Sequence, residues 1–249
     1  EKLVTDSRVA FFSFMGSGEI GWMLRSKLSP GTRCALEHGG AAPVIIDHDA
    51  DLDDALPLLA KGGFYHAGQV CVSVQKVFVH ESRLDEFQKK LVKLAEKLVV
   101  GDPTDEKTEV GPLIQENEVN RVHQWVNEAK MAGAKILTGG KKIGNTCYAP
   151  TVILNPPDEA MVSTHEIFGP VINIYSFKDR LRAIERANLT PFSFQAAVFT
   201  KSIDTALDTS KRINAAAVMI NDHTAFRVDW MPFGGRKDSG LGVGGILPT

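Results

Sequence analysis

Apolar positions along this chain follow two rhythms that take turns. Short apolar runs rich in Val, Ile, Phe and Tyr predict strands over residues 8–14, 33–37, 43–46, 74–80, 135–138, 148–154, 171–177, 195–200 and 216–221. Between them, apolar residues recur every three or four positions and predict helices over 16–28, 51–64, 116–132, 180–187 and 202–213, with another opening at Ser82. In that last helix Leu84, Phe87, Leu91, Leu94 and Leu98 form one stripe for burial. Local punctuation agrees. Ser29-Pro30-Gly31 stops the first helix, and acidic residues open the helix over 51–64, where they favour its dipole. Asp85, three residues after Ser82, has capping-box spacing.

Strand and helix alternate, so the expected fold class is α/β, a parallel sheet flanked by helices. The strand over 8–14 is apolar and aromatic enough to read as buried. Only two strands and one helix precede Gly39-Gly40. A free-standing dinucleotide domain needs two βαβ halves, so residues 1–39 are too few for one, while 40–249 suffice for a domain.

Composition narrows the picture by exclusion. The 249 residues are 43% hydrophobic and 23% charged, an ordinary globular balance. A net charge of −2 leaves no bulk field to draw the chain onto nucleic acid or an anionic membrane. No apolar run is long enough to span a bilayer, and residues 1–8 carry no signal-peptide pattern. Cys34, Cys71 and Cys147 form neither a disulfide framework nor a CxxC pair. A reducing compartment, the cytoplasm, is expected, with an organelle open as the alternative. No histidine spacing suggests a metal. The chain begins with Glu and ends close after its last strong motif, which reads as a segment of a longer protein.

Two stretches carry candidate chemistry. Gly16-Ser17-Gly18-Glu19-Ile20-Gly21 matches G-x-G-x-x-G between a predicted strand and helix. A helix N-terminus offers unpaired amides to phosphate, and glycines let backbone approach a pyrophosphate. On that reading Glu37, at the end of the next strand, would bind ribose hydroxyls. A tight turn needing small residues is the bland alternative. The second stretch is Gly68-Gln69-Val70-Cys71, between a helix and a strand. Lone cysteines are more often buried and inert, but Ala67-Gly68-Gln69 is too small and polar for a core strand. Backbone amides at such a turn are expected to lower the thiol pKa. Cys34, in an apolar strand, reads as core, and Cys147 as a turn residue.

Five segments in order resemble the aldehyde dehydrogenase superfamily. Phe14-Met15-Gly16-Ser17-Gly18-Glu19-Ile20-Gly21 resembles F-T-G-S-T-x-x-G, and Leu36-Glu37-His38-Gly39-Gly40 resembles L-E-L-G-G. Gly68-Gln69-Val70-Cys71 resembles G-Q-x-C, and His165-Glu166-Ile167-Phe168-Gly169-Pro170 resembles E-E-I-F-G-P. The stretch from Pro232 to Gly240 resembles P-F-G-G-x-K-x-S-G. Phe226-Arg227-Val228-Asp229-Trp230-Met231 looks like the branch containing lactaldehyde and non-phosphorylating glyceraldehyde-3-phosphate dehydrogenases. The resemblance implies that 1–39 is the C-terminal remnant of the NAD(P)-binding domain and 40–249 the catalytic domain. It makes Cys71 the nucleophile and Glu37 the base that activates water. It sets Gly16, Ser17, Gly18 and Gly21 toward the cofactor, with Glu166 on the nicotinamide ribose and Phe168 beside it. Arg227 is a candidate clamp for a substrate phosphate or carboxylate, with a surface salt bridge to Asp229 or another acid as the alternative. Val70 stands where some phosphoglyceraldehyde enzymes carry arginine, which weakens the phosphate reading.

The implied reaction oxidises an aldehyde to a carboxylic acid with NAD or NADP through a cysteine thioester, in a homo-oligomer (dimer or tetramer). Retention of Glu37 favours release of a free acid over transfer to CoA. The P-W-N-F segment that supplies the family's oxyanion asparagine and the lysine that binds the cofactor ribose have no counterpart in the 249 residues. Nor does the family's closing strand. His38 for Leu is expected to fill space. Two other readings stay open: a non-catalytic fragment or interaction protein of the same fold, and a Rossmann-type dehydrogenase with Glu37 on ribose.

Overall fold

The computed structural model describes residues 2–244; the closing strand expected to be missing at the C-terminal end lies outside them. The chain opens with β1 (Phe11–Met15), α1 (Gly18–Arg25) and β2 (Arg33–Glu37). It continues through β3 (Ala42–Ile46), α2 (Leu52–Phe64), a 3-10 turn at Tyr65–Gly68, β4 (Val74–His80), α3 (Glu81–Lys97) and α4 (Glu116–Met131). Then come β5 (Lys135–Thr138), β6 (Lys142–Ile143), β7 (Cys147–Tyr148), β8 (Thr151–Leu154), the short α5 (Met161–Thr164), β9 (Val171–Phe177) and α6 (Arg180–Ala187). The last elements are β10 (Phe192–Ser193), β11 (Gln195–Phe199), α7 (Ile203–Arg212), β12 (Ala217–Ile220), β13 (Arg236–Lys237) and β14 (Gly240–Leu241).

Seven strands form the main sheet in the order β12-β11-β3-β4-β9-β8-β5. Its pairs are parallel except β5 with β8. Helices cover both faces, as parallel sheets require. On one face, Val44, Ile46, Val77 and Val79 pack with apolar residues of α2, α3 and α4. On the other, Ile45, Phe78, Tyr175 and Val198 pack with those of α6 and α7. Alternate residues of β3 and β4 point to opposite cores, which is why these strands read as near-continuous apolar runs.

A second, three-stranded sheet has the order β1-β2-β14, with β1 parallel to β2 and β14 antiparallel to it. Cys34, Leu36, Phe12 and Phe14 lie on the side that faces α1. Phe11, Ser13 and Met15 lie on the other, where Phe11 is 52% and Met15 78% exposed. The expectation of a buried first strand is therefore corrected: only one face of β1 is covered, because β1 borders a sheet with a helix on one side.

Several expected elements match residue for residue, among them β2, β4, β5, β9 and α6. Phe87 and Leu91 are fully buried and Leu84, Leu94 and Leu98 pack against the same core, as the stripe predicted. Other expectations change. The cap of α3 is His80, whose Nδ1 accepts from the Ser82 amide, so Ser82 lies inside the helix. The strand expected over 148–154 breaks into β7 and β8 around Ala149-Pro150, since proline cannot donate to a ladder. Cys34 is half-buried rather than core; it lines a surface cavity of about 610 Å³ beside Trp22, Arg25 and Arg33.

Candidate active site

The turn carrying Cys71 is built by an unusual approach. After α2, His66, Ala67 and Gly68 take consecutive left-handed conformations, with φ of 50°, 55° and 70°. Such φ values are costly for residues with a Cβ and persist only where surroundings enforce them. Gly68 is required twice over, because a Cβ there would also meet the Gly169 carbonyl at 2.1 Å. Gln69 braces the loop: its Nε2 donates to the Pro112 carbonyl at 3.2 Å, and its Oε1 accepts from the Ile114 amide at 2.8 Å. Cys71 then sits in a tight turn closed by the Ser73 amide donating to Val70 O at 2.9 Å. The buried hydroxyl of Thr224 donates to Val72 O at 2.6 Å and brings the 224–227 segment alongside.

Three charged side chains act electrostatically on the thiol. Burial, Glu166 and Glu37, in that order of effect, push the Cys71 pKa up to about 11, against the opposing pull of its own backbone amide and of Arg227. The amide acts in the direction expected from sequence, but desolvation and two carboxylates outweigh it. At pH 7 roughly one thiol in ten thousand is ionised at such a pKa. The resting sulfur is therefore held as the thiol.

Glu37 ends β2, with its carbonyl accepting from the Gly16 amide at 3.1 Å and its carboxylate lying over Gly244, where a Cβ would come within 2.4 Å of Oε1. Glu166 reaches across from the loop after α5. Its Oε1 accepts from the Gly40 amide at 3.1 Å, and a Cβ at Gly39 would overlap it at 1.6 Å. The Gly39-Gly40 pair is thus a seat for a carboxylate. Burial raises the Glu166 pKa to about 7, against the Gly40 hydrogen bond and Arg121. Phe168, in a left-handed conformation at φ 50°, stays partly exposed beside it.

At α1, Ser17 occupies the cap position without a side-chain cap bond, which leaves first-turn amides open. Gly16 and Ser17 are exposed there. Gly21 is not: a Cβ would lie 1.9 Å from Nε2 of His38, which is 3% exposed and packs edge-on against Trp22 and Phe14. His38 fills the space between β2 and α1, as expected, and Gly21 permits the close helix–strand contact. A pyrophosphate fits the open first-turn amides of α1 that follow Gly16, and a ribose hydroxyl fits the half-buried Glu166 carboxylate, which accepts from the Gly40 amide.

Arg227 makes no ion pair among the described residues; its guanidinium stacks over Phe233 at 4.2 Å. The alternative of a salt bridge with Asp229 is thereby replaced by a cation–π contact. Sequence reasoning missed Gln69's bracing role, Thr224 and the carboxylate seat at Gly39-Gly40. A polar Gln inside a Gly-rich loop was the available signal for the first. Asp47, His48 and Asp49 bring ligand atoms within 4.8 Å of one another. Their oxygens are engaged in loop bonds, including Asp49 with Thr200 and the Lys201 amide.

A thiol within electrostatic reach of two carboxylates, next to open helix amides on an α/β scaffold, is an arrangement suited to covalent catalysis. The aldehyde dehydrogenase family model matches residues 1–247, and this chain belongs to that family. It is 40% identical over 245 residues to the 3-sulfolactaldehyde dehydrogenase of Priestia aryabhattai, covering 98% of this chain and 51% of that protein. It is 39% identical over 246 residues to a lactaldehyde dehydrogenase of Methanococcus vannielii, covering 99% and 52%. Among solved structures, aldehyde dehydrogenase 21 of Physcomitrella patens in complex with succinate superposes with a TM-score of 0.95 at 38% identity, over 99% of this chain and 51% of that one. The glyceraldehyde-3-phosphate dehydrogenase of Methanocaldococcus jannaschii complexed with NADP superposes at 0.94 and 39% identity, over 98% and 53%. The chain spans about half the length of the relatives it matches. No helix among the described residues is long and apolar enough to cross a membrane.

Proposed function

We propose that this chain supplies the catalytic half of an NAD(P)-dependent aldehyde dehydrogenase. The observation that carries the reading is that Glu37 and Glu166 both act on the Cys71 thiol, in a turn packed at Gly68 against Gly169 of the segment that carries Glu166. In this reading the Cys71 thiol gives its proton to solvent water, and the thiolate attacks the aldehyde carbon to form a thiohemiacetal, while Glu37 is kept as the base for the later water step. The Cys71 amide stabilises the oxyanion. NAD(P)⁺, when bound, supplies the hydride acceptor. Loss of hydride leaves an acyl thioester on Cys71. Glu37 then takes a proton from water, the water attacks the thioester carbon, and a carboxylic acid leaves as thiolate is regenerated. Gly16, Ser17 and Gly18 hold the pyrophosphate side, Gly21 seats their helix, and Glu166 with Phe168 holds the nicotinamide ribose.

Arg227 is read as the substrate contact. The relatives are named for sulfolactaldehyde, lactaldehyde and glyceraldehyde 3-phosphate, and one holds succinate. A free guanidinium near the thiol suits a short aldehyde with an anionic end. The same reading includes the division at residues 1–39 and 40–249, a homo-oligomer, a cytoplasmic location, and no nucleic-acid or membrane partner.

The test is rapid mixing of the full reading frame with aldehyde and cofactor. Cys71→Ala should abolish reduced-cofactor production. Glu37→Gln should give one burst per site and then slow by ~10²–10⁴-fold in deacylation. Undiminished turnover in either variant removes the assignment.

A further inference from the structure

The segment that presents Glu166 and Phe168 has almost no regular structure of its own. Between α5 and β9 it passes through His165, Glu166, Ile167 and Phe168, the last in a left-handed conformation. Backbone groups in such a stretch need partners from elsewhere, and here they come from polar side chains standing in the main sheet. Gln75, 4% exposed, donates from Nε2 to the His165 carbonyl at 2.7 Å and to the Val162 carbonyl at 3.2 Å. Its Oε1 accepts from the Ile167 amide at 2.9 Å. Both sides of Glu166 in the chain are thereby pinned by one side chain. Lys76 Nζ donates to Ser163 O at 3.0 Å, and Asn173 Nδ2 to Val162 O at 2.7 Å. From the surface side, Arg121 donates to Ile167 O at 2.8 Å.

Gln75 stands near the start of β4, four positions after Cys71 in the chain. The strand that leaves the nucleophile turn therefore holds the loop whose carboxylate returns to the thiol. Cys71, β4, Gln75 and the 165–167 backbone are thus tied together, and Gly169 of the same segment packs back against Gly68 of the Cys71 turn. A buried amide satisfied by three hydrogen bonds, in a strand that also carries Val74, Val77, Phe78 and Val79, is costly to place and strongly directional. Its partners are main-chain groups of α5 and of the loop that follows it, so its effect is to set that loop's position.

We propose that Gln75 is a positioning residue for the nicotinamide end of the cofactor site, acting through the backbone on either side of Glu166. The inference rests on the reading of Glu166 as the ribose contact. Removing the clamp lets Glu166 and Phe168 drift from the Cys71 turn. Cofactor binding weakens, while chemistry that uses only the thiol and a base persists.

The experiment compares Gln75→Met, close in shape and unable to make the three bonds, with Glu166→Ala and wild type in the full-length protein. NAD⁺ and NADP⁺ affinities are measured by direct titration. Hydrolysis of an activated aryl ester, which needs no hydride acceptor, reports on the thiol. Gln75→Met should raise the cofactor Kd on the order of tenfold to a hundredfold, the cost of misplacing a contact by about an ångström. Ester hydrolysis should stay within about twofold, because it does not pass through the displaced group. Arg121→Met, on the surface of α4, removes one clamp bond without touching the core and should raise Kd in the same direction by less. If Glu166→Ala weakens cofactor binding but both clamp variants bind normally, the positioning role is overturned. If Glu166→Ala itself binds cofactor normally, the ribose reading fails first. Equal loss of ester hydrolysis and cofactor binding in Gln75→Met, with Arg121→Met like wild type, would mean general damage and also overturns it.

Discussion

The seven-stranded body and the β1–α1–β2 corner are built from similar residues but are finished differently. In the body both sheet faces are covered, and Val77, Phe78 and Val79 are all fully buried. In the corner one face of β1 lies open, and Ile20 and Met23 of α1 are also exposed. Adjacent apolar residues in a strand earn full burial only when helices lie on both sides. Stability therefore resides in the body, while the corner carries groups of the proposed site: Glu37 from the end of β2, and Gly16 with Ser17 ahead of α1. Glu166 sits at the seam, rooted in the body by Gln75 and resting on the Gly39-Gly40 linker.

The contrast can be tested from its largest effect downward. Phe87→Ala, in the fully buried stripe of α3, should cost about 3–5 kcal/mol of global stability by denaturant unfolding, with cavity formation added to lost burial. A cost under about 1 kcal/mol would mean that the body does not hold the fold.

The seam should show in pH dependence. The Glu166 pKa is raised from 4.5 to about 7 in the folded state, so the folded chain binds the proton more tightly than the unfolded one. Its contribution is fully present below pH 4.5 and is lost as pH rises through about 7. The difference is on the order of 3 kcal/mol by linkage. Glu166→Gln, which stays neutral, should remove that slope in unfolding curves taken from pH 4.5 to 8. An unchanged slope would place its origin elsewhere.

Gly21→Ala should cost about 1–3 kcal/mol, because the methyl would meet the His38 ring in a packed interface. Hydrogen exchange should localise that loss to α1 and β2 rather than β4 and β9. Met15→Ser, on the open face, should change stability by no more than about 0.5 kcal/mol. A larger loss would show that the face is covered in solution.

Thiol labelling sharpens the picture of the site. With a Cys71 pKa of about 11, alkylation of Cys71 without cofactor should rise about tenfold per pH unit between pH 7 and 10. A plateau near pH 8 would show that the thiol is already activated at rest. The half-exposed Cys34 in its surface cavity makes Cys34→Ser the required background.

Much of the scaffold was legible because its causes are local. The polar Gln75 and Lys76 in an otherwise apolar strand, and Asn173 within Val171–Phe177, were visible signals of buried polar work, yet nothing nearby in the chain named their partners. The left-handed run at His66, Ala67 and Gly68 was equally silent, since only the contact of Gly68 with Gly169 requires it. The pairing of β14 with β2 joins segments roughly two hundred residues apart, beyond the reach of any periodicity.

Residue order alone determined the alternation of strands and helices, the parallel α/β class, the stripe buried by α3 and, through five short motifs, the family. These follow from backbone geometry and side-chain spacing over a few positions. Only the tertiary structure decided that two carboxylates act on one sulfur, that burial holds its proton on, and that a glutamine from the strand following Cys71 pins the loop carrying Glu166. Desolvation, Coulomb interaction and hydrogen bonding depend on distances in space, and folding sets those distances between residues that lie far apart in the chain.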